Sequence, residues 1–91
     1  MAALKLKVTK QATSFVEDLP PKQYKQVVGT VLDLLYKPEP HDSQQLKGSN
    51  NRRVDIGEYR IIYRVEDDTV LVLVIGKRND DEVYKILARR E

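Results

Sequence analysis

The sequence predicts an α+β domain, and three observations carry that expectation. Residues 52–76 hold three short runs rich in Val, Ile and Tyr, parted by two-residue turns. Residues 10–35 carry apolar side chains at helical spacing, interrupted once by Pro20-Pro21. Segments of alternating and of helical character also stand at either end of the chain. The expected order is β-α-α-β-β-β-α. It comprises an N-terminal strand, an antiparallel two-helix unit, an antiparallel sheet of about four strands with helices on one side, and a C-terminal helix.

Taken in order, "LKLKV" at 4–8 alternates apolar and basic residues, as a half-buried strand does. Thr9 is placed to cap a helix over about 10–19, with Phe15, Val16 and Leu19 as its apolar stripe. Pro20 and Pro21 end that helix, and a second starts there because proline is tolerated in a first turn. Tyr24, Val27, Val28, Val31, Leu32 and Leu35 give this second helix one apolar face. Gly29 in its middle is expected to allow a close approach of neighbouring elements. "KPEPHDSQQLKGSNN" at 37–51 reads as loop, with His41 an incidental residue in it. Strands are expected at 52–56, 58–66 and 69–76, joined by Gly57-Glu58 and Asp67-Asp68. A final helix from about Asp80 to Arg90 opens on three acids, which suit the positive end of a helix dipole.

A chain of 91 residues supports one small core, so residues 1–91 are expected to form a single domain. There is no cysteine, hence neither a disulfide frame nor a thiolate nucleophile. One histidine is too few for a histidine-based metal site. No apolar run approaches the roughly 20 residues that span a bilayer, and the N-terminus lacks a signal peptide's apolar core. A cytoplasmic protein with no membrane partner is the expectation. The net charge of +2 is small, but residues 44–64 hold five cations against two anions. That excess can form a local anion-binding patch.

The first hairpin turns this excess into a surface. With Gly57-Glu58 as the turn, Ile56 faces Tyr59, Asp55 faces Arg60, Val54 faces Ile61 and Arg53 faces Ile62. Alternation then places Val54, Ile56, Tyr59, Ile61, Tyr63 and Val65 on one face, towards the helices. Arg53, Asp55, Arg60, Ile62 and Arg64 take the other. Such a face is either a solvated sheet surface with an Asp55–Arg60 cross-strand pair, or a groove whose planar guanidinium forks bind phosphate. Tyr24, Tyr36, Tyr59 and Tyr63 are expected in the core with their hydroxyls at its edge.

"LKG" at 46–48, "RRVDIGEYRIIYRV" at 52–65 and "VLVIGKRNDDEVYK" at 74–85 together resemble the RelE toxins of the RelE/ParE toxin–antitoxin superfamily. The resemblance spans essentially the whole chain and is most specific in "GEYRIIYRV" and "GKRNDDEVY". It implies a ribosome-dependent messenger-RNA endonuclease, restrained by a RelB-type antitoxin and acting on mRNA in the A site of the 70S ribosome, with rRNA among its contacts. It implies catalytic roles for Arg60, Arg78 and Tyr84, and for Arg53 as one of two basic residues on the preceding strand. The second basic position is Asp55 here, a departure from the family pattern. Cleavage by the RNA's own 2′-hydroxyl needs a proton acceptor, charge relief on the phosphorane and a proton donor to the 5′-oxygen, and it calls for neither metal nor other cofactor. A phenol titrates ordinarily near about 10 and serves as a base only beside cations. Asp55 is open to two roles, an alternative base or an acid that orients Arg60. Lys47, Arg64, Lys77 and Lys85 are candidate RNA-backbone contacts. The alternatives are a ParE-type gyrase inhibitor and an inert member of the superfamily.

Overall fold

The computed structural model describes residues 3–79 and 81–90. Its elements are β1 (Lys5–Val8), α1 (Lys10–Glu17), α2 (Pro21–Asp33), β2 (Gln44–Gln45), β3 (Arg52–Ile56), β4 (Tyr59–Glu66), β5 (Thr69–Lys77) and α3 (Glu82–Arg90). The α+β class and its order of elements are as the sequence predicts. The sheet has one strand more, in the order β1-β5-β4-β3-β2, because β2 forms inside the expected loop. It is also mixed, since β1 runs parallel to β5.

Local signals set the ends of the elements. Thr9 caps α1, its hydroxyl accepting from the Ala12 N–H at 3.3 Å. Pro21 opens α2 at the position where a missing N–H costs nothing. Gly57 turns the β3–β4 hairpin with φ +58°, and Asp67 turns the β4–β5 hairpin with φ +53°. The first hairpin pairs Ile56 with Tyr59, Asp55 with Arg60, Val54 with Ile61 and Arg53 with Ile62. Alternation and the turn glycine are enough to fix that register. At the C-terminal helix the boundary moves. Asp81 has φ +53° and precedes α3, so Glu82 is the acid within the first turn, and Asp80 lies outside the described residues.

Two apolar layers hold the sheet. Val54, Tyr59, Ile61 and Tyr63 meet Ala12, Val16, Val27, Val31 and Leu34 of the helical pair. On the opposite face Ile62, Leu73 and Val74 lie under Val83 and Leu87 of α3. The helices are therefore not on one side, as the sequence reading expects. A β-bulge explains the difference: Ile62 pairs with Val74 and Tyr63 with Val72, so Leu73 has no ladder partner. The bulge turns both Leu73 and Val74 towards α3, giving that face enough apolar surface to seat a helix.

Two further expectations change. Gly29 has nothing within 4 Å of where a Cβ would stand, so it allows no close contact. Tyr59 and Tyr63 are buried, but Tyr24 and Tyr36 are 44% and 72% exposed, Tyr36 lying in the turn past the end of α2. No helix among the described residues is long and apolar enough to cross a membrane.

Candidate active site

The sheet face opposite the helical pair carries the charged cluster. Arg53 and Asp55 project from β3 and Arg60 from β4, as their alternation requires. Arg60 donates from Nε to Asp55 Oδ1 at 2.7 Å and from Nη2 to Oδ2 at 3.0 Å. This two-point pair fixes the guanidinium plane. Its remaining arm, Nη1, donates to the Tyr84 hydroxyl at 3.0 Å. Arg53 Nη1 donates to the same oxygen, also at 3.0 Å. The Arg60 guanidinium carbon lies 5.6 Å from the centre of the Tyr84 ring, within cation–π reach.

Tyr84 reaches the sheet because α3 is anchored next to it. Val83 and Leu87 are buried, and Tyr84 packs partly against the same apolar layer. The tyrosine ring is thus held by packing while its hydroxyl meets two guanidinium arms. The Arg60 side chain is 11% exposed and that of Asp55 33% exposed, so the pair is sheltered but open to an incoming anion.

The charges reinforce one another. The Arg60 hydrogen bond holds the Asp55 carboxyl below the usual carboxylate range, against the opposing effect of burial. The positive charges of Arg60, Arg53 and Arg78 act in the same direction. The hydrogen bond to Asp55 likewise raises Arg60 above its ordinary value, so the guanidinium stays charged at every relevant pH.

Arg53, Asp55, Arg60 and Tyr84 are therefore brought together. Arg78 stands at the margin: its side chain is exposed, and its backbone N–H donates to Glu58 O at 3.0 Å, which extends the β4–β5 ladder past Lys77. Its charge is nevertheless felt at Asp55. Lys47, Lys77 and Lys85 are exposed. Arg64 is held by Glu66 and lies 3.5 Å from Asn51 Oδ1. A separate hollow of about 580 Å³ between the end of α2 and the β3 edge shares only Asp55 with the cluster. Among the described residues no group of three His, Asp or Glu side chains gathers to hold a metal ion.

One partner escapes the sequence reading. Gln44, from β2, accepts from Arg53 Nη2 at 2.7 Å. The signal would have been the antiparallel register of Gln44 with Arg53, but a two-residue strand leaves too short an alternation to recognise.

The family model for the ParE toxin of the type II toxin–antitoxin system, parDE, matches residues 6–82. Among solved structures, the toxin–antitoxin complex RelBE2 of Mycobacterium tuberculosis is 26% identical, with a TM-score of 0.73, over 85% of this chain and 100% of that one. The archaeal RelE–RelB complex of Pyrococcus horikoshii is also 26% identical, with a TM-score of 0.77, over 87% and 99%. A variant of the E. coli toxin RelE in its free state has a TM-score of 0.80 over 98% of both chains, and at 23% identity shares the fold. Among curated proteins no sequence is a significant match. The chain belongs to the ParE toxin family of type II toxin–antitoxin systems, within the RelE/ParE superfamily.

Proposed function

We propose that this toxin is an endoribonuclease that cuts mRNA in the ribosomal A site through attack by the RNA's 2′-hydroxyl. The observation that carries the reading is the convergence of Arg53 and Arg60 on the Tyr84 hydroxyl, one arm from each at 3.0 Å. Strand-borne guanidiniums meet a phosphodiester with little loss of side-chain freedom, and their planar forks match its oxygens. In the proposed reaction the 2′-oxygen forms a bond to phosphorus while the bond to the 5′-oxygen breaks. One proton leaves the 2′-hydroxyl and one is delivered to the 5′-oxygen. Arg60, Arg53 and Arg78 offset the charge that gathers on the phosphorane. Tyr84 is the group placed to exchange a proton with the substrate. Asp55 has both oxygens engaged by Arg60, which makes it a weak base and favours the orienting role. Lys47, Lys77 and Lys85 supply exposed charge for the RNA backbone.

The restraining partner in this reading is an antitoxin of the RelB type, because the similar structures include the toxin–antitoxin complex RelBE2 and the archaeal RelE–RelB complex. A second reading is inhibition of DNA gyrase through a protein contact, favoured by the family model, whose matched region ends at residue 82, before Tyr84. Incubating the purified protein with translating ribosomes and mapping mRNA 5′ ends separates the two. Codon-spaced cuts support the nuclease. Gyrase-dependent DNA breaks without mRNA cuts support the inhibitor, and neither product leaves an inert module.

A further inference from the structure

We propose that Gln44 is a positioning residue of the arginine cluster, the neutral counterpart for Arg53 of what Asp55 is for Arg60. The inference rests on the nuclease reading for its role, though its geometry stands apart from it. Each guanidinium sends one arm to the Tyr84 hydroxyl at 3.0 Å. Each also needs a partner on its other side, or it swings free about its long side chain. Arg60 has Asp55 at 2.7 Å and 3.0 Å. Arg53 has Gln44 Oε1 at 2.7 Å.

The backbone that carries the exposed Gln44 side chain is held in place, which a positioning role demands. The pairing of β2 with β3 sets Gln44 across from Arg53 and Gln45 across from Arg52. Gln45 Nε2 donates to Ser49 O at 2.8 Å, and the Leu46 N–H donates to Asn51 O at 2.8 Å. The Leu46 side chain packs against the apolar layer under α3, alongside Tyr84. Ser43 Oγ accepts from Arg52 Nη2 at 2.8 Å on the other flank. The segment Ser43–Leu46 thus receives four ties, and what it presents to the cluster is one amide oxygen.

The choice of an amide has an electrostatic consequence. Asp55 already offsets one of the three positive charges of Arg53, Arg60 and Arg78. A second carboxylate at position 44 would orient Arg53 equally well but leave less net charge for a phosphodiester. Glutamine orients without neutralising.

Two substitutions with opposite signatures test this. Gln44→Met keeps length and removes the acceptor. The expected result is a fall of about fivefold in kcat, the effect of one lost hydrogen bond, with KM for ribosome-bound mRNA within about twofold. NMR of the arginine side chains should show faster rotation of the Arg53 guanidinium about its Nε–Cζ bond. Gln44→Glu keeps an acceptor, so slow rotation should be retained, while KM rises and kcat falls with the weakened relief of charge on the phosphorane. A non-cleavable 2′-O-methyl RNA should bind this variant more weakly, with a shallower salt dependence. Wild-type kcat and rotation in Gln44→Met would overturn the assignment, as would a Gln44→Glu variant whose Arg53 guanidinium rotates as fast as in Gln44→Met. Absence of mRNA cleavage by the wild-type protein counts against the nuclease reading alone. The rotation rates and 2′-O-methyl RNA binding then still decide whether Gln44 positions Arg53.

Discussion

At the scale of single residues, the cluster assigns separable effects to Tyr84, Arg60 and Asp55. Tyr84→Phe keeps the packed ring and removes the oxygen on which both arginines converge. The expected loss of mRNA cleavage is about a hundredfold or more, the usual size of an acid–base contribution, with unfolding free energy lowered by about 1–3 kcal/mol because two part-buried guanidinium arms lose their acceptor. Arg60→Ala should lose as much, and it also strands Asp55. Full activity in both variants would remove them from the chemistry. Asp55→Asn should cost less than about tenfold if the acid orients Arg60, whereas a loss beyond about a hundredfold would make it the base. The same carboxylate gives a pH signature. Its folded value lies below its unfolded one, chiefly because Arg60 donates to it. Its stabilising contribution is therefore complete above the unfolded value of about 4 and is lost as pH falls towards the folded value. In urea titrations, wild type should exceed Asp55→Asn in stability by a constant margin from pH 7 down to about 5, and the margin should shrink below about 4. A margin that grows on acidification contradicts the sign of the linkage.

At the scale of elements, the distance between α3 and the sheet decides where the Tyr84 hydroxyl stands. Gly76 in β5 sets that distance: a Cβ built on it would lie 2.9 Å from Val83 Cγ1, too close to be accommodated without movement. Val83 is fully buried and β-branched, so it has little rotamer freedom with which to yield. Gly76→Ala is therefore expected to push α3 outward by a few tenths of an ångström and lower cleavage by about tenfold, since misplacement of about 1 Å costs up to about a hundredfold. Val83→Ala in the same chain should restore part of the activity while lowering stability through its cavity. If the double variant is no more active than Gly76→Ala, the spacing account fails. This contact also shows where the sequence stops being legible. Arg53, Asp55, Arg60 and the register joining them follow from alternation and one turn glycine, which are local. The meeting of Gly76 with Val83, and of Gln44 with Arg53, depends on how α3 and β2 dock, and neither has a periodic signature long enough to reveal it.

At the scale of the whole molecule, the sheet is covered unequally on its two faces. The helical pair buries five side chains of its own against one face, whereas α3 contributes only Val83 and Leu87 as buried residues to the other. The sequence conveyed the first layer because its apolar residues recur along two helices and three strands. It hid the second because the bulge at Leu73 breaks the alternation that assigns residues to faces, and it hid the parallel β1–β5 ladder because its two strands are remote in sequence and no turn between them signals the pairing. Buried apolar area sets how much free energy opposes local opening, so the thinner layer should open first. Native-state hydrogen exchange should find the α3 amides exchanging through an opening several kcal/mol below global unfolding, while Ile61–Tyr63 and Val72–Ile75 exchange only through global unfolding. Leu87→Ala should lower cleavage and the α3 opening energy, and the global opening read at β4 and β5 by the same amount, whereas Val27→Ala, in the other layer, should lower the global opening alone. Equal protection in α3 and the central strands would show that both layers unfold as one unit. The Tyr84 hydroxyl would then be fixed by the whole fold, and Val27→Ala should lower protection in α3 to the same extent as in β4 and β5.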